Sequence, residues 1–427
     1  MFEFSKRNFS LLIFGQFISL IGDRVLVAMY LSIVAILVSS ANSWTSNLLI
    51  IIQFLPLLLL GFYFGSLADI YNRKLLLIVS ESIRTFSILI LLFFQNNLYM
   101  IYFSVILLGF GYAIFEPARK SILPFLVPQK KLISLNKLYS SLELLALLVG
   151  LFLASIILQF MAINTALILV ILTYVISIIS LIFIRYNHTL IKEQLSKEEE
   201  ERITRTNLIS SETSNTEIIN SHIARIKKGI LYVRQNAKLR SIFIVVLIHF
   251  IACCMFFATL NDFIIKTTTN SIDVGSIVSL YLFIVALGAL SAYPILYFVK
   301  DMKDGLITIF SLGFGTLFLL LFALNIEFKM YEIYAFISWI LLYLIGIIAG
   351  IQYLRFMYLL QIHSKKEFLG RVMSVFEFIT SISIMIGIGI GMILSELLGF
   401  DFVFFLIVLV YGFGFVYFFV KRAFLTW

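Results

Sequence analysis

The stretch GSLADIYNRK, residues 65–74, connects two long apolar segments of the chain. It places Gly65, Asp69, Arg73 and Lys74 in one short connection. Each flanking segment is long enough to cross a bilayer as a helix, because ~20 mostly apolar residues suffice. A charged connection this short between two spans predicts a membrane protein with several crossings.

The composition of the whole chain agrees with this prediction. The 427 residues are 61% hydrophobic and 13% charged, with a mean hydropathy of +1.06. A soluble protein of this length could not cover so much apolar surface. Runs such as Leu48–Leu60 lack the alternation of a barrel strand, so we expect helices. The predicted all-α polytopic fold has about twelve spans, at 9–38, 46–67, 75–95, 98–122, 138–160, 163–184, 241–265, 275–299, 305–325, 332–360, 370–395 and 401–420.

The basic residues give the expected orientation in the membrane. The formal net charge is +9, and 27 of the 32 Lys and Arg residues fall at the termini or in even-numbered connections. This is the positive-inside bias, which places both termini in the cytoplasm. The charge is therefore explained by topology, and we expect no nucleic-acid partner.

A polar segment, residues 185–240, separates two sets of six predicted spans. Ser, Thr and Asn dominate residues 204–221, which is typical of a linker. Near 217–238, isoleucines and a valine recur every three or four residues between basic residues, as in an amphipathic helix on a membrane surface. That helix can also simply introduce the seventh span. We thus predict domains at 1–184 and 241–427.

The two halves share a motif, L-x-[KR]-x-x-S-x-x-E, at residues 135–143 and 369–377. Because it opens the fifth span of each half, it indicates parallel repeats related by a pseudo-two-fold axis. Its glutamates lie six residues past a basic residue, ~9 Å into the membrane. They can form ion pairs across the halves at an inner gate, or couple protons directly. The predicted gating residues are Glu143, Glu377, Lys137 and Arg371.

Other charges lie deeper in the spans. Asp23 and Arg24 lie ~22 Å along the first span, beyond the membrane midplane. A charge at the bilayer centre costs at least ~2.5 kcal/mol, so each needs a partner or a watery cavity. Asp23 can bind a proton, a cation or a cationic substrate, or it can form an interhelical ion pair that only positions its helix.

The spans contain three further sets of polar side chains, of which one has several possible roles and two are expected to be structural. Arg355 has no acidic neighbour one turn away, so it can meet an anionic substrate, a carboxylate of the other half or a purely structural partner. Glu81 and Arg84, three residues apart, are expected to form a local support pair. His249 is expected to be a hydrogen-bonded core residue.

The chain offers no motif for a cofactor, a metal or an enzyme. Cys253 and Cys254 are adjacent, cannot form an ordinary disulfide and have no metal-ligand spacing around them. No phosphate-binding loop and no catalytic cluster of His, Cys or carboxylates is encoded. The glycines of residues 346–350 and 387–391 instead fit the small-xxx-small pattern of closely packed helices.

The connection at 65–74 resembles the loop signature of the major facilitator superfamily between its second and third helices. Residues 15–29, 115–138, 227–242 and 369–378 are similar to its macrolide-efflux and enterobactin-exporter branch. This resemblance implies two six-helix bundles, alternating access and export driven by an ion gradient. It also implies that Asp69 faces the start of the eleventh helix in the outward-open state, which makes Gly65, Asp69, Arg73 and Lys74 a conformational switch.

These observations together predict a function. We expect a monomeric exporter in a bacterial plasma membrane, carrying a small hydrophobic or amphipathic compound such as a drug, macrolide or siderophore. Protons or another coupling ion would drive it as an antiporter, with Asp23, Arg24 and Arg355 in coupling or substrate binding. The alternatives are a lysophospholipid transporter or flippase of the same fold, and a non-transporting membrane sensor or immunity protein.

Overall fold

The computed structural model describes residues 6–37, 43–126, 129–185, 231–268, 273–299, 302, 304–328, 333–364 and 369–420. Within these ranges the regular secondary structure is entirely helical, which confirms the all-α prediction of twelve long helices. The helices are α1 (Lys6–Leu37), α2 (Ser43–Ile70), α3 (Arg73–Phe94), α4 (Leu98–Leu126), α5 (Gln129–Phe160), α6 (Ile163–Ile182), α7 (Ala237–Thr267), α8 (Asp273–Phe298), α9 (Asp304–Phe328), α10 (Ile333–His363), α11 (Leu369–Leu398) and α12 (Phe400–Val420).

Most of these helices meet the requirements for crossing a bilayer. Eleven of them contain a described stretch that is long and apolar enough to span a membrane. In α2 the corresponding apolar stretch, Thr45–Leu60, is shorter. The multi-pass prediction is therefore confirmed.

Helix boundaries follow from local chemistry. The side chain of Asn72 accepts hydrogen bonds from the backbone N–H groups of Lys74 (3.0 Å) and Leu75 (3.3 Å), and so caps α3. Since α2 continues to Ile70, only Tyr71 and Asn72 between α2 and α3 are not helical. The charged connection of the sequence is thus mostly the last turns of α2 and the first turn of α3.

The chain divides into two compact units. The first unit comprises residues 1–26, 52–150 and 162–224, and the second comprises 27–51, 151–161 and 225–427. The second unit therefore contains the last part of α1, the first part of α2 and the last part of α5, which we call the distal segments, together with α7 to α12. The predicted boundaries at 184 and 241 remain a prediction.

The linker lies largely outside the described residues. Residues 186–230 are not described, so the amphipathic helix predicted near 217–238 stays a prediction over that range. Residues 231–235 are helical, and Val233 is buried in the core of the second unit with Tyr232 packed against that core. This end of the linker therefore belongs to the second unit.

Inside the first unit, α3 packs against α4 and α6. An apolar cluster of side chains from α1, α3, α4 and α6 fills one part of it. Further along α3 the buried face changes from apolar to polar and charged, through Ser80, Glu81, Arg84 and Ser87. This change in the buried face of α3 positions the candidate site.

Inside the second unit, α7 packs against α11 and α12, and α8 packs against α10. Gly387 and Gly391 allow α11 close to α7, since a Cβ on Gly387 would lie 2.6 Å from the Ile251 carbonyl oxygen. A Cβ on Gly350 would lie 2.8 Å from Cα of Ala289 on α8. The predicted close packing at the two glycine pairs is confirmed.

Candidate functional site

A cluster of three charged side chains lies buried in the first unit. Asp23 of α1 is 2% exposed, and Glu81 and Arg84 of α3 are 0% exposed. We call these three residues the charged cluster. Charges removed this far from water must be paired and hydrogen-bonded, so their partners decide what the cluster can do.

Arg84 is hydrogen-bonded to Asp23. Its Nη1 lies 3.2 Å from Oδ1 and 3.1 Å from Oδ2 of Asp23. The Tyr174 hydroxyl of α6 also donates to Oδ1 of Asp23. The guanidinium lies over the rings of Phe115 (4.4 Å), Tyr174 (5.0 Å) and Tyr112 (5.1 Å). Cation–π contacts of this kind help to stabilise a desolvated cation.

Glu81 has a different set of neighbours. The Ser19 hydroxyl of α1 lies 3.1 Å from Oε1 and 3.3 Å from Oε2, and the Ser177 hydroxyl of α6 lies 2.9 Å from Oε1. Arg84 Nη2 is 2.8 Å from Oε1, yet among the described residues neither Nη2 nor Nε of Arg84 has a partner in hydrogen-bond geometry. Arg84 therefore attracts Glu81 ionically, while its directed hydrogen bonds go to Asp23.

The local sequence explains why these groups meet. Glu81 and Arg84 are one turn apart on α3. Ser19 and Asp23 are one turn apart on α1, so they share a face of that helix. Gly111 brings α4 against the pair, because a Cβ there would overlap Cγ of Arg84. The predicted Glu81–Arg84 pair is confirmed, and the structure adds Asp23 to it.

Arg24 and Arg355, predicted with Asp23 as coupling or binding residues, are not members of the charged cluster. The stem of Arg24 lies against Gly150 of α5, where an added Cβ would be 2.7 Å from Cβ of Arg24. Arg355 of α10 is buried in the second unit, with its guanidinium 5.1 Å from the Tyr358 ring centre. Nearby, Gln352 donates to the Ser311 hydroxyl at 2.7 Å. The roles of these arginines stay predictions.

The predicted gating and switch residues are only partly described. Glu143 accepts a hydrogen bond from Arg119 of α4 at 2.6 Å, and Arg119 also pairs with Glu116 at 2.7 Å. Lys74 donates to the carbonyl oxygens of Ile182 and Ile184 at 2.8 Å. Arg73 is buried. The surroundings of Gly65 and the side chains of Asp69, Lys137, Arg371 and Glu377 are not described, and the gating and switch roles stay predictions.

His249 of α7 is a core residue, as its sequence context indicates. Its Nδ1 lies 3.0 Å from the Tyr411 hydroxyl of α12, and its Nε2 lies 3.6 Å from Sγ of Cys253. Rings of Phe250 and Phe356 contact it edge-on.

Across the described ranges there is no group of three or more His, Cys, Asp or Glu that could hold a metal ion.

A polar contact set in the second unit joins the distal segments of α1, α2 and α5 to α7 and α8. Asn261 donates to Asn47 (3.0 Å), and Asn47 donates to the Ala258 carbonyl (3.2 Å). The backbone N–H of Gly275 donates to the Ser32 hydroxyl (3.0 Å). The Ser276 hydroxyl donates to the Ser155 carbonyl at 2.8 Å. We call these four hydrogen bonds the distal contacts.

Sequence reasoning missed one fully buried carboxyl near the distal contacts. Asp262 of α7 is paired with Lys266 at 3.1 Å and accepts a hydrogen bond from Ser395 of α11. The available indication was an aspartate inside the seventh predicted span, one turn from a lysine. Ser19, Ser177 and Tyr174 were also missed, because an isolated polar residue in an apolar span does not reveal its partner.

Twelve long helices within the described ranges, most of them able to span a membrane, define a polytopic membrane protein of the all-α class. The sequence model of the Major Facilitator Superfamily matches residues 12–388. The chain therefore belongs to the Major Facilitator Superfamily, a family of transporters.

Solved transporter structures share this fold. A bacterial homologue of the iron transporter ferroportin, inward-facing, is similar with TM-score 0.68 and 15% identity, covering 96% of this chain and 98% of that one. The nucleoside transporter NupG is similar with TM-score 0.69 and 11% identity, covering 99% of this chain and 100% of that one. A POT family transporter in complex with 5-aminolevulinic acid is similar with TM-score 0.70 and 12% identity, covering 98% of this chain and 96% of that one. No curated protein matches the sequence.

Proposed function

We propose that this protein is a proton-coupled antiporter that exports a small hydrophobic or amphipathic compound by alternating access. The observation that carries the proposal is the composition of the charged cluster, which holds two carboxyl groups and one guanidinium in full burial. Because a buried net charge is costly, one carboxyl of such a cluster is suited to bind and release a proton.

The distal contacts support alternating access. The positive-inside bias places the termini in the cytoplasm, so the distal segments of α1, α2 and α5 would face the outside. Hydrogen bonds from these segments to α7 and α8 would then hold the outer ends together. They would have to break for release to the outside, since each ties together segments from both predicted halves.

The exported compound is proposed from the resemblance to macrolide and enterobactin exporters. A second candidate, lysophospholipid transport, is favoured by one observation. An apolar groove of about 430 Å³ lies between α9 and α12, lined by Leu306, Ile309, Phe310, Gly313, Phe314, Leu317, Phe415 and Phe419. A groove of this chemistry on membrane-spanning helices fits an acyl chain.

The test is transport by the purified protein in proteoliposomes with an imposed pH gradient. Erythromycin, enterobactin and a lysophosphatidylglycerol serve as probes, in vesicles with an acidic lumen. The proposal expects at least one probe to accumulate only while the gradient persists. Accumulation of the lysolipid alone would favour the second candidate, and no gradient-dependent movement of any probe would contradict proton-coupled export.

Asp23→Asn gives a sharper result in the same assay. We expect the variant to fold and to lose gradient-driven accumulation, because Arg84 loses its hydrogen-bonded partner and pairs with Glu81 instead. Size-exclusion chromatography checks the fold. Asp262→Asn is the matched control, since it also neutralises a fully buried aspartate, outside the charged cluster. Unchanged gradient dependence in Asp23→Asn would contradict a coupling role for the charged cluster.

A further inference from the structure

The charged cluster contains two carboxyl groups, and the geometry distinguishes them. We propose that Glu81, and not Asp23, binds the proton, while Asp23 and Arg84 stay a permanent ion pair. The hydroxyl hydrogens of Ser19 and Ser177 then reorient when Glu81 gains or loses the proton. This inference rests on the proposed proton coupling and assigns its site.

Asp23 accepts hydrogen bonds from the Arg84 guanidinium, and this partner opposes protonation of the Asp23 carboxyl. Arg84 Nη1 donates to both of its oxygens, at 3.2 and 3.1 Å. A guanidinium has no acceptor, so it cannot receive a hydrogen bond from a protonated Asp23. A proton on either oxygen would face this donor and would also remove the charge that strengthens the bond.

The hydrogen-bonding partners of Glu81 tolerate its protonation, and Arg84 acts on Glu81 through ionic attraction alone. Its hydrogen bonds come from the hydroxyls of Ser19 and Ser177. A hydroxyl is both a donor and an acceptor, and its hydrogen rotates to suit its neighbour. Nη2 of Arg84 lies near Oε1 outside hydrogen-bond geometry, so no directed hydrogen bond from Arg84 is lost when Glu81 becomes neutral.

The two carboxyl oxygens of Glu81 differ in how strongly they are already hydrogen-bonded, and Oε2 is the better site for the proton. Oε1 is close to Arg84, Ser177 and Ser19, whereas the one hydrogen bond that Oε2 receives from the described residues is the longer 3.3 Å contact with Ser19. The step is the formation of an O–H bond at Oε2 with a proton from a hydronium ion, whose O–H bond breaks to leave a neutral water molecule. The new O–H donates to the Ser19 oxygen, and the hydrogen of Ser19 turns away to Oε1 or to a carbonyl of its own helix.

The charge balance of the cluster agrees with this assignment. With Glu81 protonated, the buried charges that remain are the neutral pair of Asp23 and Arg84. A buried pair is far less costly than a buried pair with an additional unpaired charge. The charged groups that act on Glu81 are Asp23 on α1 and Arg84 on α3, and the further titratable or charged groups beside those two are Arg24 on α1, Tyr112 on α4 and Tyr174 on α6.

The test detects the protonated carboxyl group directly. Infrared difference spectra of the protein in lipid, between acidic and alkaline buffer, resolve the C=O stretch of a buried carboxylic acid. We expect this band in the wild type, its loss in Glu81→Gln and its persistence in the control Asp262→Asn. Because no substrate is needed, the result is independent of whether the protein exports the probes used above.

A matched pair of hydroxyl deletions distinguishes the two carboxyls. Ser177→Ala removes a donor of Glu81, and Tyr174→Phe removes a donor of Asp23. The proposal expects the band to shift in Ser177→Ala and to stay in place in Tyr174→Phe. The reverse pattern assigns the proton to Asp23 and overturns the proposal. It is also overturned by a band that survives in Glu81→Gln, and by a wild type with no band.

Discussion

Each unit contains a tyrosine that connects two of its helices, α6 to α1 in the first unit and α12 to α7 in the second. We call these two hydrogen bonds the tyrosine ties, and both tyrosines are at the same position in their helices. Tyr174 is the twelfth residue of α6 and donates to Asp23 of α1, and Tyr411 is the twelfth residue of α12 and bonds to His249 of α7. The first tie ends on a carboxylate that needs Arg84, and the second ends on an imidazole among aromatic rings. Equivalent contacts therefore place ionic chemistry in one unit and apolar packing in the other.

The largest expected effect comes from removing the only cation of the charged cluster. Arg84→Met leaves two carboxyl groups buried without a counter-charge, which costs about 3–5 kcal/mol. We expect a large loss of thermal stability in detergent or of purified yield. The control is the triple variant Asp23→Asn, Glu81→Gln, Arg84→Met, which removes every charge and should recover much of the loss. A single variant as stable as the wild type would contradict the ionic description of the first unit.

A substitution at the distal contacts tests the second unit. A valine at Gly275 would overlap the Ser32 hydroxyl and the Ala28 carbonyl oxygen. Overlap with packed backbone costs about 1–3 kcal/mol, so the closed distal contacts should become about 5- to 150-fold less populated. The measurement is the labelling rate of a thiol introduced by Ser155→Cys, with Cys253 and Cys254 replaced by alanine.

The control for this experiment is Gly389→Val. A Cβ at Gly389 meets no atom within 4 Å, so this valine should leave the labelling rate unchanged. Equal labelling rates with Gly275→Val and with Gly389→Val would mean that the distal contacts do not limit access to residue 155.

The smallest expected effect compares the two tyrosine ties directly. Tyr174→Phe removes a hydrogen bond to a charged group, worth about 1.5–3 kcal/mol, and Tyr411→Phe removes one to a neutral group, worth about 0.5–1.5 kcal/mol. Thermal unfolding of the two variants in the same detergent measures the difference. A larger loss in Tyr411→Phe would reverse the comparison between the units.

The sequence predicted the helices because long apolar segments leave no other backbone structure in a bilayer. It also predicted the Glu81–Arg84 pair, since residues three apart on a helix are neighbours whatever the tertiary structure. The bond between Asp23 and Arg84 joins residues 61 positions apart, and no local periodicity specifies such a contact. The contact of Asp262 with Ser395 is likewise invisible to a local pattern, because it joins residues 133 positions apart, whereas the Asp262–Lys266 pair follows the same one-turn rule as Glu81–Arg84 and was overlooked.

The positions of the charged cluster along the chain have a consequence for biosynthesis. Its three members and their hydrogen-bonding serines and tyrosine all lie between Ser19 and Ser177, so a ribosome has made every partner before α7 exists. At roughly 5–20 residues per second, Arg84 follows Asp23 by about 3–12 s. The inserting first helix must carry Asp23 without its Arg84 partner for that interval. The membrane-insertion machinery, and no later folding step, would therefore be the first to reject a variant of this cluster.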